Sequence, residues 1–230
     1  MADAGGGHFY YIERPEQITD LIASEVGELL EIVARDAAIE VTAPDGVTIR
    51  PLSPFRFEQR GSRSALLLGD LVAGQRVEAV IRLRFGYGRI GSEIGVLLGA
   101  TDREGALAGA RFAPVAIGWR YADDPANDAQ PRDHGVDRRV AALFASRARQ
   151  EAVKLNRLGD YREAIKGLRG VADRIRAYAG TDPELRALAD ALRHEEERWS
   201  RPAPELMRKQ SFASANYAMR SRSMEGRAER

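Results

Sequence analysis

Five carboxylates fall where strands would end: Asp70, Asp102, Glu104, Asp123 and Asp124. General acid–base work needs two such groups in one pocket with their pKa values pushed apart, and solvated turns supply carboxylates at the same spacing. Thr101-Asp-Arg-Glu104 offers oxygens, but calcium takes about six to eight from an organised loop. Ser62 and Ser64 have no neighbouring histidine and no Gly-x-Ser-x-Gly elbow. His8, His134 and His194 are scattered without ligand spacing, and there is no cysteine. That excludes disulfides, thiolate metal sites and thiol nucleophiles. His194 opens His-Glu-Glu-Glu197, which lacks the second histidine of a zincin helix. Gly86, Gly88, Gly91 and Gly95 are followed by no Gly-Lys-Ser/Thr, so they read as hairpin turns. Trp119 and Tyr121 could stack on a base or sugar; packing at a strand end is the plainer reading. No catalytic, cofactor or metal site emerges, and the expectation is a chain that is not an enzyme.

The elements that would carry these residues begin with an isolated pair. Gly5-Gly-Gly7 reads as a turn before the short β-rich run His8-Phe-Tyr-Tyr-Ile12. Pro15 suits the first turn of a helix. Ile18, Leu21, Ile22, Val26, Leu29, Leu30 and Val33 then repeat at helical spacing, which predicts one apolar helix face over 16–34. A lone strand and helix cannot enclose a core, so residues 1–36 read as the end of an α/β domain whose beginning is missing. Seven exposed aliphatic groups would each forgo roughly 1.5–3 kcal/mol of burial. They are the candidate protein-interface residues, and self-association is one way to cover them.

Between residues 37 and 122 the period changes to two. Candidate strands are Ala38–Thr42, Val47–Arg50, Phe55–Phe57, Ser64–Leu68, Val77–Phe85, Glu93–Thr101 and Arg111–Tyr121. Their turn spacing predicts an antiparallel β-sandwich. Residues 123–133, with two prolines, read as a linker. Residues 134–219 read as a helical hairpin or bundle: Leu158-Gly-Asp-Tyr161 breaks and restarts a helix, and Thr181-Asp-Pro183 begins another. Gly159-Asp-Tyr-x-x-Ala164 resembles the turn of a tetratricopeptide repeat, but one copy makes no solenoid. Residues 220–230 read as a disordered tail. The fold class expected is α+β.

Of the 230 residues, 35 are basic and 34 acidic, but their distribution is uneven. Residues 1–131 carry 13 basic and 19 acidic groups, net −6, whereas residues 201–230 carry 7 and 3, net +4. An arginine-rich tail can touch nucleic acid or an anionic surface. No stretch approaches the roughly 20 apolar residues of a bilayer span.

Several segments carry a resemblance. Met-Ala-Asp-Ala-Gly-Gly-Gly-His-Phe-Tyr-Tyr-Ile-Glu (1–13) and Gly-Glu-Leu-Leu-Glu-Ile-Val-Ala-Arg-Asp (27–36) resemble the last strand and helix of bacterial von Willebrand factor A-domain proteins. These are the homologues named after calcium-activated chloride channels or inter-α-trypsin inhibitor heavy chains. Leu68-Gly-Asp-Leu-Val-Ala-Gly-Gln75 and Val80-Ile-Arg-Leu-Arg-Phe85 resemble the sandwich that follows. Asn127–Asp133, Asn156–Ala164 and Arg208-Lys-Gln-Ser-Phe-Ala-Ser-Ala215 resemble its helical C-terminus. The family's metal site uses Asp-x-Ser-x-Ser, which occurs nowhere here, so no metal ligand carries over.

The resemblance implies a non-enzymatic module for protein–protein interaction or scaffolding in the cytoplasm, truncated ahead of most of its A domain. Its partner would be a protein: a second copy or, as in the family, an AAA+ ATPase. No membrane is implied. The alternative is a nucleic-acid or anionic-surface binder acting through the tail. A sandwich-type hydrolase finds no constellation to support it.

Overall fold

Arg14 and Pro15 form the turn that opens the first helix in the computed structural model, which describes residue 12 and residues 14–220. The Arg14 N–H donates to Gln17 Oε1 at 3.0 Å, one half of a capping box. Helix α1 spans Gln17–Leu30. It ends earlier than the expected 34, because the next residues join a sheet. Strand β1 spans Ile32–Thr42, Ile32 pairs with Val72, and the Glu31 carbonyl accepts from Ala73 N–H at 2.9 Å. The β-branched Ile32 and Val33 favour extended backbone, so Val33 belongs to a strand and not to the apolar helix face. The first sandwich strand therefore starts at 32, five residues before the expected boundary.

The remaining strands are β2 (Thr48–Pro51), β3 (Arg56–Arg60), β4 (Arg63–Val72), β5 (Ile81–Arg84), β6 (Glu93–Thr101) and β7 (Val115–Arg120). All pairings are antiparallel: β3-β4-β1-β6-β7 form one sheet and β2-β5 the other. Period-two alternation sends Val41 and Val96 inward from the larger sheet and Ile49, Ile81 and Leu83 inward from the smaller one, where they share a core with Phe57, Leu98 and Trp119. Arg82 and Arg84, alternating with Ile81 and Leu83, face solvent.

Two strands are shorter than their alternation predicts. Only Ile81–Arg84 of the Val77–Phe85 run pairs, because β2 is four residues long. Ahead of it, Val80 N–H donates to Ser53 Oγ and its carbonyl accepts from Leu52 N–H. The Arg111–Tyr121 run opens instead with a 3₁₀ turn at Ala110–Phe112. Pro114, which cannot donate to a ladder, precedes β7.

The compact units divide between Pro131 and Arg132. Within the expected linker lies a short helix, α2 (Asp124–Asp128), capped by Asp123, which accepts from Ala126 N–H. The second unit contains α3 (His134–Leu158), α4 (Tyr161–Tyr178), α5 (Pro183–Trp199) and α6 (Glu205–Met219). Asp133, Asp160 and Asp182 each cap the helix that follows by accepting backbone N–H groups. Gly159 closes α3 at φ +81°, a conformation that favours glycine. Leu168, Ile175, Leu185, Leu192 and Trp199 fill the core between α3, α4 and α5, with Met207 and Phe212 of α6 against it.

Candidate interaction surface

Along α1, Ile18, Ile22 and Val26 recur every fourth residue and so form one line about 12 Å long. Their exposures are 43%, 59% and 51%. Leu21 is half-buried beside them. The side chains of Leu29 and Leu30 lie outside the described residues. Val33 is also open, at 56%, but on β1. The chain therefore brings Ile18, Ile22 and Val26 into one stripe and separates Val33 from it. Helix α1 makes no extensive contact with any other described element.

The carboxylates are engaged in holding the first unit together. Asp70 Oδ1 accepts from Asp36 N–H at 2.9 Å, and Arg35 lies 3.7 Å from Asp70 and 3.4 Å from Glu104. Arg103 pairs with Asp36 at 3.2 Å. Asp102 accepts the N–H groups of Leu107, Glu104 and Ala106. Those donors, Leu107 foremost, hold its carboxyl below the ordinary aspartate value. Asp123 is a helix cap. Asp124 lies in the first turn of α2. Among the described residues no group of three His, Asp or Glu side chains is placed to hold a metal ion.

The other chemistry-bearing residues are dispersed over the two units. Ser64 is buried in the sandwich, and its Oγ has no hydrogen-bond partner among the described residues. Ser62 lines a shallow groove of about 780 Å³ with Thr42, Asp45, Gly95, Leu97 and Gly118. His194 Nδ1 lies 2.7 Å from the Asp190 carbonyl, and His134 Nδ1 lies 3.9 Å from Asp182. His8 and the 221–230 tail lie outside the described residues. Trp119 packs against Phe85, with ring centroids 4.9 Å apart. The Tyr121 ring occupies the space that a Cβ on Gly88 would need, and Gly91 turns the chain at φ +87°. Gly88 thus serves close packing and Gly91 a turn.

Sequence reasoning missed one exposed element. Strand β7 forms an edge of the larger sheet, and its Val115 and Ile117 pair with Leu98 and Val96 on the inner face. Val115 is nevertheless 60% exposed, because the facing sheet has two strands and the larger has five. The signal was alternation running to the last strand without a matching count on the other side.

The chain is similar to a solved structure titled von Willebrand factor type A from Catenulispora acidiphila, with a TM-score of 0.58 and 20% identity over all of this chain and 54% of that one. It shares its fold with that part of a von Willebrand factor A protein. This chain thus spans about half the length of that neighbour. No family model and no curated protein matches it. At 20% identity the likeness concerns the fold. No described helix is long and apolar enough to cross a membrane.

Proposed function

We propose that this chain is a non-enzymatic interaction or scaffolding module of a von Willebrand factor A-type protein, without a metal-dependent adhesion site. Helix α1 takes the place of the last helix of an A domain, and the sandwich and helical unit take the place of the segments that follow one. The observation that carries the reading is the open line Ile18, Ile22 and Val26 on a helix with little packing against the other described elements. Large aliphatic side chains gain roughly 1.5–3 kcal/mol each on burial, so a surface that covers three of them gains a sizeable driving force. Asp70, Asp102 and Asp123 each accept backbone N–H groups, which agrees with a structural use of these carboxylates in a binding module. The fold shared with a von Willebrand factor type A protein supports the family context.

A photo-crosslinking residue at position 22 tests the reading in the cell of origin. Discrete protein adducts are expected there and none from exposed position 174 on α4. Absence of adducts at position 22, or equal adducts at both positions, would overturn it.

A further inference from the structure

Strand β7 is a sheet edge with a bare hydrogen-bonding side. The Tyr121 N–H donates to the Ser92 carbonyl at 2.9 Å, in the register that also pairs Arg120 with Glu93 and Ile117 with Val96. Bonded and non-bonded partners alternate along an antiparallel ladder. Val115, Ile117 and Trp119 therefore bond to β6, while the N–H and C=O groups of Ala116, Gly118 and Arg120 point away from the sheet. No described strand pairs with that side, and all three residues are exposed. Edge strands are ordinarily guarded against pairing by charged side chains. The other edge strands here follow that rule: β3 carries Arg56, Glu58 and Arg60, β2 carries Arg50, and β5 carries Arg82 and Arg84. From Val115 to Trp119, β7 carries no charge.

A row of outward backbone donors and acceptors matches another extended strand about 4.8 Å away. Two β7 strands can meet antiparallel about a two-fold axis at Gly118, with Ala116 of each copy opposite Arg120 of the other. Every outward residue then both donates and accepts, and Pro114, which has no N–H to give, stays outside the ladder. On the inner face Ile117 falls opposite Trp119 of the second copy, a β-branched–aromatic pair of the kind that stabilises sheets. The two Arg120 side chains stand about 13 Å apart along the strands, beyond a Debye length of about 8 Å. The same arrangement of β3 would set Glu58 against Glu58 and Arg56 against Arg60, like charges directly opposed. We propose that β7 pairs with β7 of a second copy of this chain, joining the two five-stranded sheets into one. The proposal does not rest on the α1 stripe.

Sedimentation of the full chain over a concentration series should show a monomer–dimer equilibrium. Ala116→Pro removes one outward N–H and spares the bonds to β6, so it should weaken the dimer at least about tenfold. Position 116 is exposed, so charged variants there test the register without disturbing the fold. Opposite Arg120, Ala116→Glu should hold the dimer at least about fivefold more tightly than Ala116→Lys. The chain has no cysteine, and bonded partners in an antiparallel pair stand about 5.5 Å apart at Cα, within reach of a disulfide. Gly118→Cys should therefore cross-link two chains on mild oxidation, and Gln59→Cys on β3 should not. A chain that stays monomeric up to about 0.5 mM would overturn the proposal. So would a dimer that Ala116→Pro leaves unchanged, or equal cross-linking from positions 118 and 59. A dimer that Ile22→Glu dissociates and changes at position 116 do not would also overturn it, and would place the contact on α1.

Discussion

The Oδ1 of Asn156 accepts a hydrogen bond from Arg208 Nε at 3.0 Å across 52 positions of sequence. The same oxygen accepts from Ala203 N–H at 3.1 Å, and Asn156 Nδ2 donates to the Arg201 carbonyl at 2.8 Å. One buried amide on α3 thus fixes the whole turn between α5 and α6. Replacing it with alanine leaves Ala203 N–H and the Arg201 carbonyl without these partners. Asn156→Ala should therefore cost about 2–4 kcal/mol in urea unfolding. A loss below about 0.5 kcal/mol would mean that water satisfies those groups equally well.

Two glycines of the helical unit should respond with opposite signs. Gly159 sits at φ +81°, and a Cβ there would meet only Tyr161 Oη, at 3.9 Å. Gly159→Ala should lose roughly 1–2 kcal/mol through backbone strain alone. Gly167 lies inside α4 with open space where a Cβ would go. Gly167→Ala should gain about 0.5–1 kcal/mol. Thermal melts of the two variants measure both effects.

Much of this unit is legible in the sequence, since Asp160, Gly159, Asp182 and Pro183 punctuate helices by local chemistry. The first unit is harder to read. Asp36 adopts φ +49°, and pairing between β1 and β4 slips around it. That irregularity breaks the alternation of Ala34, Ala37 and Ala38, so the strand looks as though it begins at 38. Val33 shows the opposite failure: its spacing fits the α1 face, and only pairing with a distant strand reveals that it is extended. The α1 stripe is readable from periodicity, and the lack of an enclosing sheet around a lone strand and helix already points to its exposure.

Acid should loosen the helical unit. Asp182 is held below the ordinary aspartate value chiefly by Leu185 N–H, with Arg138 Nε at 2.9 Å also donating. Glu205 is lowered chiefly by the Arg157 guanidinium. A folded-state pKa below the unfolded one gives stability that is complete above the unfolded value, near 4, and is lost as pH falls through the folded value. Asp182→Asn should flatten the fall in unfolding free energy below about pH 4. An unchanged acid limb would show that other groups set it.

Without Asp-x-Ser-x-Ser, calorimetric titration of the chain with magnesium, manganese or calcium should be flat. A site of micromolar affinity would contradict the proposal that it works without a metal-dependent adhesion site.

The central claim is that the α1 stripe is open for a partner, and the absence of cysteine allows it to be tested with one thiol. Ile22→Cys introduces a single reactive group on the stripe, and Ala189→Cys, at a fully buried position, is the control. Maleimide labelling of the isolated chain should proceed at position 22 at close to the rate of a free cysteine, with position 189 strongly protected. Protection of position 22 that persists on dilution would show the stripe covered within the chain and would contradict the account.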